Sequence, residues 1–275
     1  MPAELTMLAE LRDDLAAEHA DLDSVVAPLP ASSWDTPTPS EPWTVRDQIA
    51  HIAFFDAEAR LAATQPHAFS EHLAGAVGDP DGYMAASLDA GRRLNPAELL
   101  ADWRSGRQAM LAAFAGLDPA GRIPWFGPPM SPASFITARL METWCHGQDV
   151  ADALGIVRRP TARLRHVARL GMRTRAYSYT IRNREAPSGD VFVDLAGPGG
   201  ETWRWGDPAA SASVRGPALD FCLVVTQRRH IDDTDLRVEG SPAREWMEIA
   251  QAFAGPPGPG RRPGQFARPG AIRAG

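Results

Sequence analysis

The sequence predicts an α+β protein, a four-helix bundle followed by a small α+β domain. Three observations carry that prediction. Up to about residue 157, apolar residues recur at helical spacing between clear start and stop signals. After Pro160, short alternating strand-like runs are interleaved with helical stretches. From Gly255 onward Pro, Gly and Arg dominate with no apolar period. Such a composition buries too little apolar surface to fold. The expected division is therefore residues 1–157, residues 158–254 and a disordered tail over 255–275.

Residues 2–27 read as the first helix, with Pro2 in its first turn and Leu5, Leu8, Leu11, Leu15, Leu22 and Val25 at helical spacing. Residues 28–42, rich in Pro, Ser and Thr, read as a loop. A second helix opens at Thr44, with Asp47 three residues on as in a capping box, and carries Val45, Ile49, Ile52 and Phe55. Residues 64–94 fit no single pattern, and Gly-Asp-Pro-Asp-Gly at 78–82 marks a turn. Asn95-Pro96-Ala97-Glu98 starts a third helix running to about Gly116. The prolines of Trp125-Phe126-Gly127-Pro128-Pro129-Met130 exclude regular helix, so this stretch is expected to be an apolar loop. Ser131-Pro132 starts a fourth helix that Gly155 stops.

In the second domain a helix is expected over about 161–179. Strands are expected at Val191–Leu195 and Thr202–Trp205, flanking a Gly-Pro-Gly-Gly turn, and at Ser211–Arg215 and Leu236–Glu239. Helices are expected at Pro217–Gln227 and Pro242–Phe253.

Composition narrows the function. The 275 residues are 44% apolar with a formal charge of −6, so nothing favours nucleic acid or anionic membrane as a partner. All 28 basic residues are arginine, which removes lysine Schiff-base chemistry. Cys145 and Cys222 are too few and too far apart for a disulfide framework or a zinc finger, and each reads as a small buried hydrophobe. With no signal-like N-terminus and no run of about 18 apolar residues, the expected location is cytoplasmic.

The residues that carry chemistry are Glu142 and His146, four apart on the fourth helix and so on one face, and His51 on the second. Two imidazoles and a carboxylate supply three protein ligands and leave a position open, the arrangement of a catalytic divalent-metal site. Arg139, Glu142, His146 and Asp149 form a polar stripe, and a solvent-facing stripe would show the same spacing. Asp47, one turn before His51, could hold its second nitrogen or simply cap the helix. Glu18 and His19 interrupt the apolar stripe of the first helix and are weaker candidates for the same cavity.

The stretches Trp43-Thr44-Val45-Arg46-Asp47-Gln48-Ile49-Ala50-His51 and Met141-Glu142-Thr143-Trp144-Cys145-His146-Gly147-Gln148-Asp149 resemble the mycothiol-dependent maleylpyruvate isomerase family. That family belongs to the DinB-like four-helix metalloproteins. Residues 202–206 and 214–221 resemble its small sterol-carrier-like module, and the likeness runs to about residue 254. The resemblance implies a divalent metal on His51, Glu142 and His146, zinc first and nickel or another ion as alternatives. It also implies mycothiol as the thiol cofactor and an arginine from the second domain at the site, for which Arg228 and Arg229 are the nearest match.

Three functions follow. The first is a metal- and thiol-dependent isomerase or S-transferase acting on a small electrophile. The second is a metal-activated hydrolase with Asp149 or Glu18 as base. The third is a non-catalytic protein binding a metal and a small ligand.

Overall fold

The computed structural model describes residues 2–266, and the chain divides into two units at Arg158 and Arg159. The first unit contains α1 (Pro2–Val26), α2 (Val45–Thr64), α3 (Pro66–Gly78), α4 (Pro80–Arg92), α5 (Pro96–Phe114), a hairpin of β1 (Ile123–Trp125) and β2 (Gly127–Met130), and α6 (Pro132–Leu154). The four long helices stand where periodicity placed them. α1 packs on α6, and α2 packs on both α5 and α6.

Their starts follow from local chemistry. The Thr44 side chain accepts from the Asp47 amide while the Asp47 carboxylate accepts from the Thr44 amide. Asn95 and Glu98 make the same reciprocal pair at the head of α5. Each box satisfies two donors that a helix start leaves orphaned. Gly155 ends α6 at φ 66°, a left-handed conformation that glycine adopts without a Cβ penalty.

Two expectations are corrected in this unit. The ambiguous stretch 64–94 is a pair of short helices, and the expected turn at 78–82 is their junction. Asp79 closes α3 there and caps α4 by accepting from the Gly82 amide. The Trp125–Met130 stretch is a two-stranded hairpin rather than an irregular loop, with Ile123 opposite Met130.

Leu22, Val26, Trp34, Val45, Ile49, Ile52, Leu99, Trp103 and Val150 form a buried core. Each fully buried aliphatic side chain contributes about 1.5–3 kcal/mol relative to exposure. Asp23 on α1 clamps α5 by accepting from Arg104 at 2.6 and 2.8 Å and from Arg107 at 2.5 Å.

The second unit contains α7 (Leu164–Arg173), α8 (Arg175–Thr180), β3 (Val191–Ala196), β4 (Thr202–Trp205), β5 (Ala212–Pro217), α9 (Ala218–Val225), β6 (Arg237–Glu239) and α10 (Ser241–Ile249). Its sheet runs β4-β3-β5-β6, with β3 and β5 parallel and the other pairs antiparallel. The α+β class expected from the sequence holds. The helix expected over 161–179 is interrupted at Thr174, whose hydroxyl donates to the carbonyls of Leu170 and Gly171.

Residues 255–266 of the expected disordered tail are described and make specific contacts. Gly264 donates its amide to Asp233 at 2.8 Å, and Phe266 stacks 3.9 Å from the Arg229 guanidinium. Residues 267–275 lie outside the described residues.

Candidate metal centre

The polar stripe of α6 faces inward. Arg139 and His146 are buried, Asp149 has no exposure at all, and Glu142 is half-buried. Each member meets a partner from another part of the first unit or from its own helix. Arg139 donates to Asp56 of α2 at 2.8 Å, Ser40 donates to Asp149 at 3.0 Å, and His146 Nε2 stands 3.4 Å from Glu142 Oε2. The solvent-facing alternative is thereby excluded for this helix.

His51 and His146 come together across α2 and α6, with ring centroids 4.7 Å apart and planes tilted by 49°. Trp43, from the segment leading into α2, lies 4.8 Å from His51 and near-parallel to His146 at 5.9 Å and 13°. Phe55, one turn on from His51, covers it at 4.5 Å.

The hydrogen-bond network fixes which nitrogen of each ring carries the proton. Thr38 donates its hydroxyl to the Trp43 carbonyl at 2.8 Å, so it can only accept from Gln48, whose Nε2 reaches it at 2.9 Å. The amide oxygen of Gln48 is then the atom facing His146 Nδ1 at 2.5 Å, and Nδ1 must donate. Ser87 gives its own proton to the Met84 carbonyl at 2.6 Å, so at 3.3 Å it accepts from His51 Nδ1–H. The Nε2 of His146 is thereby turned to a carboxylate oxygen of Glu142. Among the described residues, no group of three or more His, Cys, Asp and Glu side chains stands arranged to hold a metal ion. What the structure brings together are the His51–His146 and Glu142–His146 pairs.

Other expected roles change. Asp47 does not serve His51. It accepts from the Thr44 amide and from Arg92 Nε at 2.7 Å, and Ser87 takes the place beside His51. Burial opposes ionisation of Asp47, yet Arg92 and Thr44 outweigh it and hold its pKa below the usual carboxylate value. Glu18 pairs with Arg158, which also donates to the Trp144 carbonyl at 2.9 Å. His19 faces Asp56 at 3.5 Å, and both are fully buried. Asp56 is therefore flanked by Arg139 and His19. Its burial would raise its pKa, but the Arg139 guanidinium and the His19 ring beside it prevail and lower it. Cys145 and Cys222 are buried thiols, as expected.

Arg228 and Arg229 lie just after α9 in the second unit. There Arg228 donates to the Thr226 carbonyl at 2.7 Å and Arg229 to the Arg228 carbonyl at 2.6 Å. An open cleft of about 580 Å³ lies between residues 35–47 and 92–96, and its lining includes Arg46, Asp47 and Arg92 but neither histidine of the pair.

Gln48 and Ser87 were not singled out from the sequence. Gln48 had a legible signal, since it lies three residues before His51 on a helix otherwise apolar at that face. Ser87 had none, because its segment gave no clear periodicity.

Comparison with known proteins gives the family of the chain. Residues 15–151 match the model of the mycothiol maleylpyruvate isomerase N-terminal domain. This chain belongs to the mycothiol-dependent maleylpyruvate isomerase family. It is 47% identical over 248 residues to an uncharacterized protein of Mycobacterium tuberculosis, in strains CDC 1551 and H37Rv, covering 90% of this chain and 96% of the relative. In fold it is similar to the crystal structure of the mycothiol-dependent maleylpyruvate isomerase, at TM-score 0.56 and 16% identity over 86% of this chain and 93% of that one. A histidine-to-alanine mutant of that enzyme matches at the same TM-score and 15% identity. Among the described residues no helix is long and apolar enough to cross a membrane.

Proposed function

We propose that this family member is a divalent-metal- and thiol-dependent enzyme, an isomerase or thiol S-transferase acting on a small electrophile. The observation behind this reading is the pair of facing imidazoles, each with its Nδ1 engaged from behind, by Ser87 for His51 and by Gln48 for His146. Metal-binding histidines are oriented in this way by a second hydrogen bond. Two imidazoles and one carboxylate are donor types that hold zinc or a similar ion, and Glu142 stands 3.4 Å from His146.

A zinc ion held by His51, Glu142 and His146 would lower the pKa of a bound thiol, making thiolate available at neutral pH. The chain itself does the rest. Gln48 and Ser87 hold the ring orientations, while Trp43 and Phe55 cover the imidazoles and limit access of water. Bonding of sulfur to an electrophilic alkene carbon and its later departure gives isomerisation with the thiol returned. Displacement of a leaving group gives S-transfer. Mycothiol is the thiol that the family membership suggests. The family resemblance offers Arg228 and Arg229 as candidates to hold a substrate carboxylate in a bidentate fork, and Arg→Ala at the one that does so should raise KM.

The hydrolase reading is less well supported, because its two candidate bases are committed elsewhere, Asp149 to Ser40 and Glu18 to Arg158. Calorimetry of mycothiol with zinc-loaded and chelated protein tests the proposal. Binding that requires the metal and releases a proton is expected. Equal binding with and without metal, or none, would refute it.

A further inference from the structure

We propose that the site takes an electrophile with an apolar, aromatic body rather than a small dicarboxylate, and that Phe55 sets this preference. The inference rests on the thiol-dependent reading above and names its substrate class.

Aromatic rings converge beside the imidazole pair from four places in the first unit. Trp43 and Phe55 flank His51 at 4.8 and 4.5 Å. Phe55 then meets Phe54 at 5.3 Å, Tyr83 of α4 at 6.2 Å, and Trp125 and Phe126 of the hairpin at 6.4 and 5.6 Å. Behind the wall, Phe69 and Phe135 pack on Trp125 and are sealed at 0% exposure. The six rings of the wall itself are half-buried, so part of their surface remains accessible. Contiguous apolar surface of this kind marks ligand grooves, and binding sites combine such a lining with a few polar groups. The polar groups here are the two imidazoles and Glu142.

Charge argues in the same direction. Ring faces are electron-rich, so a carboxylate laid against them loses water and gains repulsion, whereas another ring gains edge-to-face contact. The cation nearest in sequence on the α6 stripe, Arg139, is turned to Asp56 at 2.8 Å and neutralised by it. The Tyr83 hydroxyl is buried, and burial together with the Glu58 carboxylate pushes its pKa up, so it adds no charge to the wall.

The reaction implied is conjugate addition of a thiol to an aromatic enone. Sulfur bonds to the β-carbon, the thiol proton ends on the α-carbon, and no oxidant or leaving group is required. The reverse step restores the alkene.

The test uses the full-length, zinc-loaded protein with benzylideneacetone as the aromatic enone and maleate as the dicarboxylate. Mycothiol-dependent kcat/KM is measured for each, and binding of each is measured by calorimetry without thiol. Wild type, Phe55→Ala and Phe126→Ala are compared, with metal content as the control for an intact site. Benzylideneacetone should be preferred by about tenfold or more, and Phe55→Ala should lose about tenfold on it through KM, a loss in the range of one aromatic contact. Both variants should lose less on maleate than on benzylideneacetone. A preference for maleate, or equal losses on both compounds, would overturn the proposal. Benzylideneacetone binding weakened by Phe55→Ala without turnover would sustain the aromatic site and reject the thiol chemistry. Absence of benzylideneacetone binding would reject the aromatic site itself.

Discussion

Replacing Arg139 by Met should destabilise the protein severely, because it leaves the Asp56 carboxylate charged in the bundle interior. Asp56 has 0% and Arg139 4% side-chain exposure, and they meet at 2.8 Å. At an effective dielectric of about 20, that separation corresponds to a gross attraction of about 6 kcal/mol, most of which offsets the cost of removing both groups from water. Removing one partner exposes that cost, and about 3–5 kcal/mol should be lost. For a protein of this size that is a fall in Tm of roughly 6–20 °C. The sign with pH is also determined. In the wild type the Asp56 pKa is lowered, so its contribution is present above the unfolded value of about 3.9 and is lost as pH falls through the folded value. In Arg139→Met burial is less opposed and the Asp56 pKa rises, so the deficit should grow as pH rises above about 4. Urea denaturation followed by circular dichroism measures both effects. The double variant Asp56→Leu/Arg139→Met should recover most of the loss, since a buried ion pair replaced by apolar groups is often neutral. A single-variant cost under about 1 kcal/mol, or a double variant no better than the single, would refute the reasoning.

Other expectations follow from the same contacts. Gln48→Leu removes the acceptor that holds His146 Nδ1–H and should weaken zinc affinity about 10–100-fold, read by competition with a chromophoric chelator. Thr44→Ala breaks the capping box of α2 and should cost about 1 kcal/mol in denaturant titration. Asp220 is buried, which raises its pKa despite the Asp235 amide it accepts. A raised carboxyl pKa lowers stability as pH rises above the unfolded value, so Asp220→Asn should be neutral or stabilising by under about 1 kcal/mol at pH 7. That difference should vanish below about pH 4, as a pH series of melting curves would show.

The helices with strong caps were legible from the sequence, because Thr44/Asp47, Asn95/Glu98 and Ser131-Pro132 satisfy backbone groups through local chemistry alone. The strand runs around Val193 and Trp203 were legible for the same reason, with period-2 alternation and a Gly-rich turn. The α3–α4 pair was not, since its prolines and glycines read equally as loop and only packing on α2 decides it. Within the site, Glu142 and His146 were legible through helical spacing, but their facing inward was not. That orientation depends on Asp56, Ser40 and Gln48, each at least 80 residues away along the chain. Ser87 displaced Asp47 as the partner of His51 because Asp47 was already committed to its own helix start and to Arg92. The aromatic wall was legible only as isolated apolar residues, since the rings that meet at Phe55 come from separate elements.

The central claim is that His51, Glu142 and His146 together bind a divalent ion. Elemental mass spectrometry of the purified full-length protein beside a folded His146→Ala variant, each also after zinc reconstitution, tests it most directly. About one zinc or similar ion per chain in the wild type, lost in the variant, is the predicted result. Near-zero metal in both proteins after reconstitution, or equal metal in both, would contradict the account.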